Sequence, residues 1–358
     1  VTSFEGRSQG TWKKAVSLVE ISGRRFSAVY LLALIFIVFG TTQEQFLTGP
    51  TIRIVLGQQV TVAILALAVL VPLVTGAFDL SVGAMFGFSL VIVTKLQQHG
   101  FASPGVDSLI AIAACMAVGT ISGILIVRFN IGSFIATLGM GQVLTAATLL
   151  ISQNEVIGDV FPHSFHTIAQ SRFLGLPIVI FYLLAISLVL WFLLTFTPLG
   201  RRLYATGENK EAARLAGIPT DRLTLLSLTA SGGMAGVAGV LYASQYGVFD
   251  NSSGAPLLFP AFAAVFFGAT QFTGRANVWG TILAVYVLAF GVQGILLAFP
   301  SSQFWVSPAF SGVALLIAVG FASRRRRVRM RGRTDQGTGG SQADGAPGGG
   351  AIGATAGS

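Results

Sequence analysis

A chain of 358 residues with 53% hydrophobic and only 10% charged side chains lacks the charge that keeps a water-facing surface solvated, since soluble domains carry about 25% charged residues. The mean hydropathy of +0.77 points the same way and disfavours an ordinary soluble enzyme. The net charge of +9 does not indicate nucleic-acid binding, because seven arginines, Arg324, Arg325, Arg326, Arg327, Arg329, Arg331 and Arg333, form one run behind the last apolar segment; a run so placed reads as a cytoplasmic membrane flank.

From the N-terminus, a polar leader over 1–26 precedes the first apolar stretch, which reads as a retained span because no small-residue cleavage site follows it. Apolar segments of bilayer-spanning character then recur, at about 27–42, 56–76, 82–97, 108–127, 133–152, 177–196, 223–243, 257–271, 276–298 and 304–322. The fold class is therefore an all-α integral membrane protein of about ten transmembrane helices. The eighth segment is short, and reads as broken, re-entrant or sheltered by its neighbours. With the N-terminus in the cytoplasm, all 22 Lys and Arg residues except Arg53, Lys95 and Arg172 fall on the inner side. That asymmetry places both termini in the cytoplasm.

Gly83 and Gly87, Gly119 and Gly123, and Gly232 and Gly236 have the spacing that lets helices approach closely, within or between chains. None precedes a lysine in a phosphate-loop pattern, so a nucleotide site in this chain is not expected. Cys115 is the single cysteine and lies inside an apolar segment, which excludes an intrachain disulfide and a cysteine metal site. His163 and His166 have a spacing compatible with a metal, but no carboxylate or cysteine pattern accompanies them; a polar external loop over about 153–176 is the better reading. No cofactor is expected. Beyond the flank at 323–333, the Gly, Ala, Ser and Thr of 334–358 offer too little apolar surface to fold, and this tail is expected to be disordered.

Two segments carry more information. On the inner side, Thr197–Asp221 reads TPLGRRLYATGENKEAARLAGIPTD. Asn209 is a suitable N-cap for a helix of one to two turns over Glu211–Ala216, which Gly217 stops and Pro219 keeps from resuming. Physics alone leaves a plain connecting loop open. Between the second and third spans, Gly76-Ala77-Phe78-Asp79-Leu80-Ser81-Val82-Gly83 sets a carboxylate at or beside membrane depth. An aspartate costs about 2.5–3.5 kcal/mol at a helix centre in lipid, so Asp79 is expected at a helix end or facing a polar interior. Either Asp79 or Ser81 caps the third span, or the pair lies near a translocation path.

Glu211-Ala212-Ala213 followed by Gly217-Ile218 resembles the coupling loop of permease subunits of ATP-binding cassette (ABC) importers, and the surrounding GRRLYATGENKEAARLAGI resembles its form in ribose-type permeases. Gly76–Gly83 resembles the G-x-D-L-S-x-G signature of monosaccharide permeases, with one extra residue before Asp79. Asn130-Ile131-Gly132-Ser133-Phe134-Ile135-Ala136-Thr137-Leu138-Gly139 is similar to that family's entry into its fifth span. Phe262–Thr270 with Gly274 is similar to its A-A-V-x-x-G-G-T-S-x-x-G-G stretch, but Ala269, Gln271 and Arg275 depart from it, and Leu258 and Phe259 stand where an acidic residue is usual.

The resemblance implies a domain over 27–322 with a coupling loop at 197–222. Gly207, Glu208, Asn209, Glu211, Ala212, Ala213, Arg214, Gly217 and Ile218 would then meet a separate ABC ATPase subunit, with Ala212 and Ala213 small enough to sit deep in its cleft. It also makes Asp79, Ser81, Asn130, Phe134, Thr137, Leu138, Gly268 and Thr270 candidates for lining a path. The implied function is ATP-driven import of a small sugar across a bacterial cytoplasmic membrane. The implied partners are an extracytoplasmic solute-binding protein and a second permease copy. Nucleosides or branched-chain amino acids are alternative substrates. An ion-coupled carrier fits less well, because the spans are nearly free of ionisable groups. An enzyme fits poorly, because Asp79 is the one acidic residue placed at or beside membrane depth.

Overall fold

The computed structural model describes residues 27–272, 275–302, 305–316 and 320. The leader 1–26, the arginine run and the tail 334–358 lie outside the described residues. The chain divides into two units, 1–318 and 319–358, and every element below belongs to the first.

In chain order the helices are α1 (Ser27–Thr42), α2 (Gly49–Val74), α3 (Val82–Gln98), α4 (Pro104–Arg128), α5 (Ser133–Ser152), α6 (His163–Gln170), α7 (Val179–Phe196), α8 (Pro198–Glu208), α9 (Lys210–Leu215), α10 (Thr220–Tyr246), α11 (Ala255–Ala269), α12 (Val278–Ala298) and α13 (Trp305–Leu316). Four two-residue strands make two two-stranded sheets among the described residues. β1 (Ile157–Gly158) pairs antiparallel with β4 (Val248–Phe249), and β2 (Arg172–Phe173) with β3 (Leu176–Pro177). A helix stands at each of the ten apolar segments read from the sequence. Six of them, α2, α4, α5, α7, α10 and α12, are long and apolar enough to cross a membrane, while α1, α3, α11 and α13 are shorter. At 15 residues, α11 is about 23 Å long.

Position follows from composition and from which surfaces find partners. From Val60 onward α2 is almost wholly apolar, as is α7. In α2 every residue from Val60 to Leu70 is buried, and 78% of its apolar window is enclosed, against 22% for α7. So α2 is the central helix. The exposed Leu188, Val189, Phe192 and Phe196 of α7 form an outward apolar surface suited to lipid. Helices α4 and α10 pack backbone to backbone. A methyl built on Gly119 would lie 2.3 Å from the Leu228 carbonyl oxygen, and one on Gly232 would lie 2.2 Å from that of Cys115. The small-residue spacings at Gly119/Gly123 and Gly232/Gly236 thus serve packing within the chain. Gly83 does the same for α3 against Gly254.

Candidate functional site

The polar segment between α7 and α10 folds as two helices. Thr197 caps α8 by accepting from the Gly200 amide, and Pro198 fills the first helical turn, where its missing N–H costs nothing. Asn209 ends α8 in extended backbone and caps α9, its Oδ1 accepting from the Ala212 amide at 3.0 Å. At the end of α9, Gly217 turns left-handed (φ +80°), and the Gly217 and Ile218 amides donate to the carbonyls of Arg214 and Ala213. Lys210 pairs with Asp221 at 2.9 Å across this return, and Glu211 and Arg214 lie 4.0 Å apart in solvent.

The face that α9 presents differs from expectation. Ala213 is buried against its own chain, at 6% exposure, so it holds the segment's fold and does not offer a surface. Ala212 is exposed, and Leu215 is 87% exposed. Leu215 therefore stands outward at the end of the capped helix. The α8 helix is tied inward at two places. The Tyr204 hydroxyl donates to the Ala276 carbonyl at 2.7 Å, while the Arg275 guanidinium stacks 4.1 Å over the Tyr204 ring. Burial pushes the Tyr204 phenol above its usual range, an effect the nearby guanidinium partly opposes. The second tie is Gly207, where a methyl would lie 2.1 Å from the Val74 carbonyl oxygen and 3.1 Å from the Gly76 nitrogen. The backbone of α8 therefore rests directly on the end of α2.

Residues 75–81, which follow that contact, are unwound. The Thr75, Gly76 and Ala77 amides close α2 on the carbonyls of Pro72 and Leu73. Gly76 is left-handed (φ +82°), a conformation glycine adopts without steric penalty. The Phe78 amide donates to Ser133 Oγ at 3.1 Å and the Leu80 amide to Thr137 Oγ1 at 3.0 Å, both on α5. Asp79 is fully buried. Its Oδ1 accepts from the Ser81 amide and hydroxyl, at 3.1 and 2.6 Å, and its Oδ2 from the Ser231 hydroxyl of α10 at 2.7 Å. Among the described residues it makes no ion pair. Hydroxyls and an amide, all donating, satisfy the carboxylate instead.

The eight path candidates fall into three places. Asp79, Ser81 and Thr137 come together in this joint, enclosed and hydrogen-bonded. Asn130, just before α5, and Phe134 and Leu138, in its first turns, are exposed. Gly268 and Thr270 belong to a packing contact. A methyl on Gly268 would lie 2.5 Å from Gly280 of α12, and the Thr270 hydroxyl bonds the Phe267 carbonyl. Gln271, one of the departures from the family pattern, is fully buried and ties this end of α11 to the start of α1, accepting from the Ala28 amide at 3.0 Å and donating to Ser27 Oγ. His166 Nδ1 lies 3.0 Å from the Ser244 carbonyl, which docks α6 on α10. At this end Arg53, Gln58, Gln170, Arg172, Gln245 and Tyr246 line an open cleft of about 300 Å³.

Over residues 51–319, which contain the joint, α8, α9 and the α5 face, the sequence matches the profile of the family described as branched-chain amino acid transport system / permease component. The chain belongs to that permease family. It is a multi-pass membrane transport subunit and not an enzyme. This permease is 28% identical over 311 residues to the autoinducer 2 import system permease protein LsrC of Salmonella typhi, covering 87% of this chain and 88% of that protein. It is 28% identical over 317 residues to the ribose import permease protein RbsC of Escherichia coli (strain K12), covering 84% and 96%. The LsrC of Photorhabdus luminescens is likewise 28% identical, over 307 residues. No solved structure matches the chain.

Sequence reasoning missed α8, although Thr197-Pro198 is a sound helix start. It also missed Ser227 and Ser231, whose spacing of one helical turn could have been noticed but whose partner was not visible without the fold.

Proposed function

We propose that this permease is the membrane subunit of an ABC importer for a small sugar in a bacterial cytoplasmic membrane. It would cross the membrane ten times, keep both termini in the cytoplasm, and work as a pair of identical or related copies with two ATPase domains. The observation that carries the reading is α9, which is capped by Asn209, ended by Gly217 and hung between two membrane helices, with Ala212 and Leu215 facing out. Family membership makes an ATPase cleft the natural acceptor for that surface. In this arrangement Gly207, Glu208 and Ile218 flank the contact, and Glu211 and Arg214 fix register at its rim. The exposed start of α5, with Asn130, Phe134 and Leu138, is the side we assign to the translocation path. The cleft holding Arg53 and Arg172 would face the extracytoplasmic binding protein. Likeness to a ribose import permease supports a sugar, with ribose as the first probe.

The test is assembly. Leu215→Asp places a charge on the exposed tip, where its only local effect is a small unfavourable interaction with the end of α9. It should insert normally yet lose at least tenfold in copurifying ATPase and in ribose uptake by the reconstituted complex. Parental assembly by Leu215→Asp would overturn the coupling role of α9.

A further inference from the structure

The joint at 75–81 is held in an unusual way. Ser133 and Thr137 stand one turn apart on α5, and Ser227 and Ser231 stand one turn apart on α10. The first pair accepts the Phe78 and Leu80 amides. The second pair meets Thr75 Oγ1, at 3.3 Å from Ser227 Oγ, and the Asp79 carboxylate, at 2.7 Å from Ser231 Oγ. Two hydroxyl pairs on two different helices thus clamp a single unwound segment. Thr137, Ser227, Ser231 and Asp79 are all buried, and Thr75 is at 5% exposure. Gly207 of α8 presses on the near end of the same segment through backbone atoms, with no side chain between. On α5, Phe134 and Leu138 follow the clamping hydroxyls in sequence and are exposed, as is Ile135.

We infer that Asp79 is a positioning residue of a mechanical link, and not a group that touches the substrate. In this link, which rests on the coupling reading of α9, a displacement of α8 is delivered at Gly207 to the joint. Asp79 and Ser231 keep the joint fixed to α10, so that the displacement goes into α5 and its exposed face. The chemistry suits the task. A helix would absorb a push along its whole length, whereas an unwound segment with φ-permissive Gly76 can change angle locally. A carboxylate taking three hydrogen bonds holds its donors more firmly than a neutral acceptor would. Capping does not account for the carboxylate: the N-cap of α3 is Ser81, which makes no side-chain capping bond, the Asp79 bonds to Ser81 close only a local turn, and the bond to Ser231 reaches 152 residues along the chain.

The experiment reads transmission directly and needs no substrate. The full permease with its ATPase subunit carries Leu138→Cys on a Cys115→Ser background, and the rate of thiol modification is compared without nucleotide and with ATP plus vanadate. In the otherwise parental complex the rate should change at least fivefold. In Asp79→Ala and Ser231→Ala the nucleotide-driven change should fall below twofold, although ATPase still copurifies in parental amount. Asp79→Asn, which keeps an acceptor toward Ser81 and a polar partner for Ser231, should restore at least half of the change. A residue that merely stabilised the fold would lower yield without altering the response of the folded fraction. If Asp79→Ala does not accumulate, Ser231→Ala decides by the same ratio. A parental nucleotide response in Ser231→Ala, or no response in the parental complex, overturns the link. If Leu215→Asp abolishes assembly while the joint variants respond normally, this inference fails and the coupling reading stands. If Leu215→Asp assembles normally, the coupling reading itself has failed.

Discussion

Adjacent glycines in α10 should respond oppositely to the same substitution. A methyl on Gly232 would sit 2.2 Å from the Cys115 carbonyl oxygen and 3.0 Å from its carbon. Carbon and oxygen settle at about 3.3 Å or more, so α4 and α10 must part by about 1 Å at a contact made of backbone on both sides. Overpacking of this kind costs about 1–3 kcal/mol, and with rigid partners the upper end applies. The gain of about 1 kcal/mol from replacing a helical glycine by alanine offsets part of it. Gly232→Ala should therefore lose about 2 kcal/mol net. At Gly233 the methyl would meet Met116 Cγ at 3.1 Å, the flexible part of an adaptable side chain. There the propensity gain dominates, and Gly233→Ala should be neutral or slightly stabilising. Cys115 supplies the assay, because it is the only thiol, is fully buried, and lies beneath Gly232 and Gly236. Under conditions where opening is rapid compared with modification, its labelling rate follows the population of the opened pair. A difference of about 2 kcal/mol predicts roughly 30-fold faster labelling of Gly232→Ala than of Gly233→Ala. Equal rates, or faster labelling of Gly233→Ala, would show that the α4–α10 contact is looser than its geometry implies.

Three further outcomes are expected. Gly217→Val forces a β-branched residue into a left-handed turn at a cost of at least about 1–2 kcal/mol, with open space around it; copurifying ATPase should fall, and Gly217→Asn should recover most of it. Asn209→Ala removes the α9 cap, worth about 1 kcal/mol, and Asn209→Asp should restore it; limited proteolysis at 209–217 should be faster in the alanine variant alone. For orientation, single cysteines at Ser3, Gln170 and Ser341 on a Cys115-free background should divide in intact cells, with an impermeant maleimide reacting only at Gln170. Modification at Ser3 or Ser341 would invert the assignment.

The elements were legible because lipid imposes one requirement on every span, a long apolar run, and each such run became a helix. The ends of α9 were legible for a local reason as well: Asn209 and Gly217 act through their own backbone neighbours. Much of what the sequence did not disclose depends on contacts across more than fifty residues. Asp79 reads equally well as a cap and as a path residue until Ser231 is found on its second oxygen. Thr137 looks like a lining residue until its hydroxyl is seen holding the Leu80 amide. Ala213 looks like a surface made small for a partner until it is found packed inward, leaving Leu215, which no motif singled out, as the exposed apolar tip. Gln271 and Arg275, two of the departures from the sugar-permease pattern, have structural work at the ends of α11 and α12. Their identity therefore bears on how those helices are anchored to α1 and α8. Those two residues give no independent reason to move the substrate away from a sugar.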